Sequence, residues 1–140
     1  MMFAIYYGMN FTKLDYDSLK EHSEKLIKGI GVRKSINFTQ ENKNGSCSCY
    51  EYGYIVYGTH SERFNRQYPN IHTIIHEVSH IVQRERHGYG YDIKVHGQEF
   101  IEALIDVIMY YFNGDIHAYA WHEEYYPHVY QYYLDNLKCE

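Results

Sequence analysis

The sequence predicts an α+β domain, and three observations carry that prediction. A charged segment with apolar residues at helical spacing comes first, a β-branched and aromatic stretch interrupted by turn residues follows, and two longer runs of helical periodicity dominate the second half. At 140 residues the chain fits a single domain, 1–140, and is long enough to bury a core without staples.

Taking the elements in order, Leu14, Leu19, Leu26 and Ile27 lie among Lys, Glu, Asp and Ser and predict a surface helix from Leu14 to Ile27. Asp15 or Asp17 can cap its start, and Gly29 and Gly31 follow its end. Residues 32–39 (VRKSINFT) and 47–58 (CSCYEYGYIVYG) have strand composition, with turn chemistry at 42–46 (NKNGS) between them. A small antiparallel or mixed sheet is expected, and Gly53 allows the second stretch to be one strand or two. Asn70, after Pro69, is a suitable N-cap for a helix from Ile71 to about Arg86, whose Ile71, Ile74, Ile75, Val78, Ile81 and Val82 form one core stripe. Gly88 and Gly90 terminate it. Phe100, Leu104, Ile108 and their neighbours mark a further helix from about Gly97 to Phe112, closed by Asn113-Gly114. Trp121 to Leu137 reads as a C-terminal, tyrosine-rich helix, which Pro127 restricts or kinks unless it lies in the first turn.

Composition narrows the function classes. With 45% hydrophobic and 22% charged residues the chain is an ordinary globular one rather than a disordered one. Its formal net charge of −5 lacks the basic footprint of a nucleic-acid binder. The three cysteines, Cys47, Cys49 and Cys139, do not form an even, spaced disulfide framework, so a reducing cytoplasm is expected. The first ten residues lack a basic leader followed by an apolar run of roughly 7–15 residues, and no stretch has the length of a membrane span, so neither export nor a membrane is expected.

The chemistry concentrates in His76-Glu77-Val78-Ser79-His80, inside the strongest helical pattern. Residues four apart on a helix project from one face, so His76 and His80 can offer two imidazole nitrogens to one tetrahedral metal, while Glu77 can reach a metal-activated water. Ten histidines and twelve glutamates in 140 residues generate this pattern by chance in roughly one such chain in twenty, so its setting must decide. A catalytic zinc site takes a third protein ligand, and His87, Asp92, His96, Glu99 and Glu102 are the downstream candidates. His87 would need a sharp reversal at the end of the same helix. His96 follows a glycine-containing loop and opens the next helix, aligned with Phe100 and Leu104, and is preferred over Glu99 and Asp92. Cys47-Ser48-Cys49 has too few partners for a second metal site and reads as strand. His22, His60, His117, His122 and His128 have no metal spacing.

His76-Glu77-x-x-His80, followed after fifteen residues by His96-Gly97-x-x-Phe100, resembles the HExxH…HGxxF pattern of SprT-like and related zincin-like minimal metallopeptidases. The resemblance spans about residues 45 to 112. It implies a zincin-like fold, Zn2+ held by His76, His80 and His96, Glu77 as catalytic base, and a protein or peptide substrate. Members that act on DNA-crosslinked proteins often add a cysteine-rich zinc ribbon and basic segments; this chain has neither, so that substrate is not implied. The resemblance also implies an exposed strand beside the cleft, placed within Tyr54–Tyr57, that binds an extended peptide by strand addition; the alternative is that this segment is simply a core or edge strand. For the oxyanion donor, Tyr89, Tyr91 and His87 are candidates, and eighteen tyrosines leave the choice open. The expected activity is a zinc-dependent metallopeptidase, an endopeptidase. The alternatives are a non-catalytic zinc-stabilised binding module and a zinc hydrolase of a non-peptide amide or ester.

Overall fold

The computed structural model describes residues 12–62, 67–90, 92–119, 131, 134 and 135. The expected C-terminal helix from Trp121 to Leu137 lies almost wholly outside the described residues, as do Tyr91, His122, His128 and Cys139.

The fold is α+β. The order is helix α1 (Tyr16–Ile30), strands β1 (Asn37–Gln40), β2 (Cys47–Cys49) and β3 (Tyr54–Tyr57), helices α2 (Ile71–His87) and α3 (Gln98–Tyr111), and a 3-10 turn at Ile116–Ala118. Among the described residues, no helix is long and apolar enough to cross a membrane.

Helix α1 starts where the Asp15 carboxylate accepts the Ser18 amide at 2.8 Å. It ends at Gly31, in the left-handed region at φ 90°, with Gly31 N–H donating to Lys28 O and Val32 N–H to Ile27 O. The helix runs through Gly29, which faces α3 and lets Tyr110 approach: a Cβ there would strike the Tyr110 ring and hydroxyl. Leu19, Leu26 and Ile27 are buried, and Ser23 joins them by a 2.6 Å hydrogen bond to the buried Tyr57 hydroxyl.

The sheet is mixed, in the order β1-β3-β2, with β1 parallel and β2 antiparallel to β3. Residues 42–46 therefore do not close a hairpin between β1 and β2. The loop is instead tied to the chain beyond β3: Thr59 N–H donates to Lys43 O, Gly45 N–H to His60 O, and Gly58 N–H to Ser46 Oγ. These bonds separate β1 from β2 by two strand spacings, about 9–10 Å, and β3 occupies the gap. Gly53 ends the β2–β3 turn at φ 70°, where a Cβ would lie 2.5 Å from Ser35 O, so the close passage of residue 35 admits only glycine. Ile55 and Tyr57 face the core, and Tyr54 and Val56 face away.

Helix α2 begins with a capping box, Asn70 Oδ1 accepting from Thr73 N–H and Thr73 Oγ1 accepting from Asn70 N–H. It is buried around more than the expected single stripe: His72, Thr73, Glu77, Ser79 and Gln83 are buried besides the apolar residues. The cause is its central position, with α1 and β2 packed on it as well as α3. Its last turn carries Glu85, whose carboxylate accepts the Arg33 and Lys34 amides and the Tyr50 hydroxyl, holding the α1–β1 connection against the helix. Helix α3 ends as its sequence suggests: Asn113 has φ 53°, and Gly114 N–H returns to Met109 O at 2.7 Å. Phe100, Leu104 and Ile108 of α3 join Ile74, Val78 and Ile81 of α2 in one core.

Candidate metal centre

The core fixes α2 and α3, and thereby the site between them. His76 and His80 are one turn apart on α2, half-buried, and their Nε2 atoms lie 3.1 Å apart. His96 stands exposed in the turn that enters α3, with its Nε2 3.3 Å from that of His76 and 3.2 Å from that of His80. The three nitrogens thus form a nearly equilateral triangle.

Hydrogen bonding alone does not account for this triangle. A neutral imidazole has one N–H, so three converging Nε2 atoms either direct lone pairs at one another or satisfy only some of the contacts. A cation between them satisfies all three. Tetrahedral geometry with metal–nitrogen bonds of about 2.0–2.1 Å requires nitrogen–nitrogen edges of about 3.3–3.4 Å, and the edges here are 3.1–3.3 Å. Among the described residues no other group of three or more metal-ligating side chains converges. His87, Asp92, Glu99 and Glu102 are not part of the cluster, so the choice of third ligand falls on His96.

The surroundings hold the rings in place. Phe100, 1% exposed, lies beneath all three imidazoles, with ring centroids 5.1 Å from His76, 4.4 Å from His80 and 4.9 Å from His96. Its helical periodicity identified it as core; its place as a common floor depends on the packing of α3 against α2. Burial, with the nearby His76 and His96 adding to it, pushes the His80 pKa down to about 3. His80 is therefore neutral near physiological pH, the form that has a lone pair to give.

Gln83 escaped the sequence reading, because one glutamine in an amphipathic helix carries no signal. It is fully buried, and its Nε2 donates to Lys94 O at 2.9 Å. The same carbonyl accepts the Gly97 amide at 3.3 Å, closing the turn that holds His96. Gln83 Oε1 is buried without a hydrogen bond among the described residues, a state that costs about 1–3 kcal/mol.

Glu77 is 7% exposed and lies near the phenols of Tyr57 and Tyr68. Burial pushes Tyr68 up to about 12, the Glu77 charge adding to it and a hydrogen bond with Ser46 opposing it. Burial likewise raises Tyr57. His72, one turn before His76, stacks on Tyr119 at 4.2 Å.

One expectation requires correction. Strand β3 (Tyr54–Tyr57) is the central strand, with β1 on one side and β2 on the other, so neither of its edges can receive a peptide; among the described residues the sheet edges belong to β1 and β2. The Tyr89 hydroxyl accepts the Glu51 amide at 3.1 Å, and its ring lies under the Arg84 guanidinium. His87 is exposed at the end of α2. Comparisons of the chain with protein-family models, with curated proteins and with solved structures found no match.

Proposed function

We propose that the chain is a zinc-dependent metallopeptidase of zincin-like fold, an endopeptidase acting on a protein or peptide substrate in the cytoplasm, with Zn2+ on His76, His80 and His96 and Glu77 as general base. The observation that carries this reading is the Nε2 triangle, with its edges of 3.1–3.3 Å. Three histidines would hold the ion and leave one position for water, and the exposure of His96 opens the cluster to solvent. When bound, zinc supplies a Lewis acid that brings the pKa of water to about 7 and polarises a carbonyl.

The chain's own residues do the rest. The three imidazoles bring their Nε2 atoms together, and Phe100 packs against all three rings. Glu77 takes a proton from the attacking water onto its carboxylate and delivers it to the nitrogen of the departing amine. An extended peptide finds backbone partners along the outer edge of β2, which pairs with no further strand among the described residues and packs against α2.

The test combines zinc stoichiometry with cleavage of a peptide library by wild type, Glu77→Gln and His96→Ala. Glu77→Gln should keep zinc and lose cleavage, and His96→Ala should weaken zinc binding. A wild type without stoichiometric zinc sinks the reading. The burial of Glu77 beside Tyr57 and Tyr68 favours a second reading, in which zinc ties α2 to the turn before α3 in a non-catalytic binding module. Tight zinc binding with no cleavage of any library member supports that one.

A further inference from the structure

Gln83 lies three residues after His80, on the same face of α2. The orientation of its buried amide is fixed by what it touches. Lys94 O can only accept, so the NH2 end must face it, at 2.9 Å, and Oε1 must point the other way. On that side Oε1 receives no hydrogen bond among the described residues. Buried acceptors are rarely left so, and one beside a metal-binding histidine has an evident donor. An imidazole that binds a cation through Nε2 carries its proton on Nδ1, and ligating histidines commonly donate that N–H to a carbonyl or carboxylate.

We infer that Gln83 is the positioning residue of the site, its Oε1 taking the Nδ1 proton of His80 while its Nε2 pins the Lys94 carbonyl and with it the turn that carries His96. The inference rests on the metal reading given above. One buried side chain then sets both the tautomer and ring plane of a helix-borne ligand and the place of the loop-borne ligand. Metal binding satisfies Oε1, so the apo protein keeps an unsatisfied acceptor that the loaded protein does not.

The experiment compares wild type with Gln83→Met, which keeps the side-chain length and removes both hydrogen bonds. Zn2+ affinity is read by competition with a chromophoric chelator, and unfolding midpoints are measured in excess chelator. Gln83→Met should bind Zn2+ about 10–100-fold more weakly, the usual range for loss of such a partner. Its metal-free midpoint should stay close to that of wild type, since the variant also removes the unsatisfied oxygen. Equal Zn2+ affinity in the two proteins overturns the inference and leaves the metal site standing. A wild type that binds no Zn2+ overturns the metal site itself. Should Gln83→Met not fold, nitrogen-15 NMR of the zinc-loaded wild type decides: a His80 Nδ1 proton protected from exchange supports the inference, and one exchanging at the solvent-exposed rate overturns it.

Discussion

Replacing Phe100 separates the fold from the site, because this one side chain serves both. It is 1% exposed in the α2–α3 core, and its ring centroid lies 4.4–5.1 Å from the three imidazoles. Phe100→Ala removes a buried ring and leaves a cavity, which costs about 3–5 kcal/mol. Against a total stability of about 5–15 kcal/mol for an ordinary domain, that brings the protein near its threshold. Phe100→Leu is more informative. It keeps most of the apolar volume but loses the aromatic contacts to the three rings, each worth about 0.5–1.5 kcal/mol. Denaturant unfolding in excess chelator should show Phe100→Ala as the larger loss and Phe100→Leu as at most about half of it. Zinc competition should show Phe100→Leu binding more weakly than wild type, because His96, the exposed ligand, loses its packing partner. If Phe100→Leu is destabilised yet binds zinc as wild type does, the three rings are held by something other than Phe100, and the floor argument is wrong.

Zinc added to chelator-treated protein should raise the thermal midpoint, since a ligand at 100 times its Kd stabilises by about 2.7 kcal/mol, and His96→Ala should respond less; identical responses would remove His96 from the site. Tyr57→Phe leaves the buried Ser23 hydroxyl without its 2.6 Å partner and should cost about 1–3 kcal/mol, with much of it recovered in the Ser23→Ala/Tyr57→Phe double variant, as a double-mutant cycle by urea unfolding would measure. Asn70→Ala removes the capping box of α2 and should lower stability by about 1 kcal/mol without changing which residues bind zinc. Gly53→Ala places a Cβ at φ 70° and 2.5 Å from Ser35 O, so it should destabilise by more than about 1 kcal/mol; a neutral result would mean that the turn can move away from residue 35.

How much of this could be read beforehand varied with the range of the interactions. Helix α2 was legible almost to its ends because its signals are local: Asn70 caps from three residues away, Gly88 closes the last turn, and the apolar spacing repeats within it. The same locality places His76 and His80 side by side. Strand order was illegible, because 42–46 has the composition of a hairpin turn whether it joins neighbours or steps across a third strand. Only its bonds to residues 58–60 decide, and those residues come later in the chain. Gly29 has the local signature of a helix stop, yet the helix continues past it to Ile30, with Tyr110, eighty-one residues on, in the space a side chain would fill.

The sequence by itself determined the ligand chemistry: an i, i+4 histidine pair on a helix, and a third histidine at the head of the next. The tertiary structure decided what spacing cannot encode, namely that His96 comes within 3.3 Å of both helix histidines, that Phe100 lies under all three, and that Gln83 holds the turn between them. The physical reason is that helix periodicity fixes directions within one element, whereas convergence across two elements depends on how their buried faces pack.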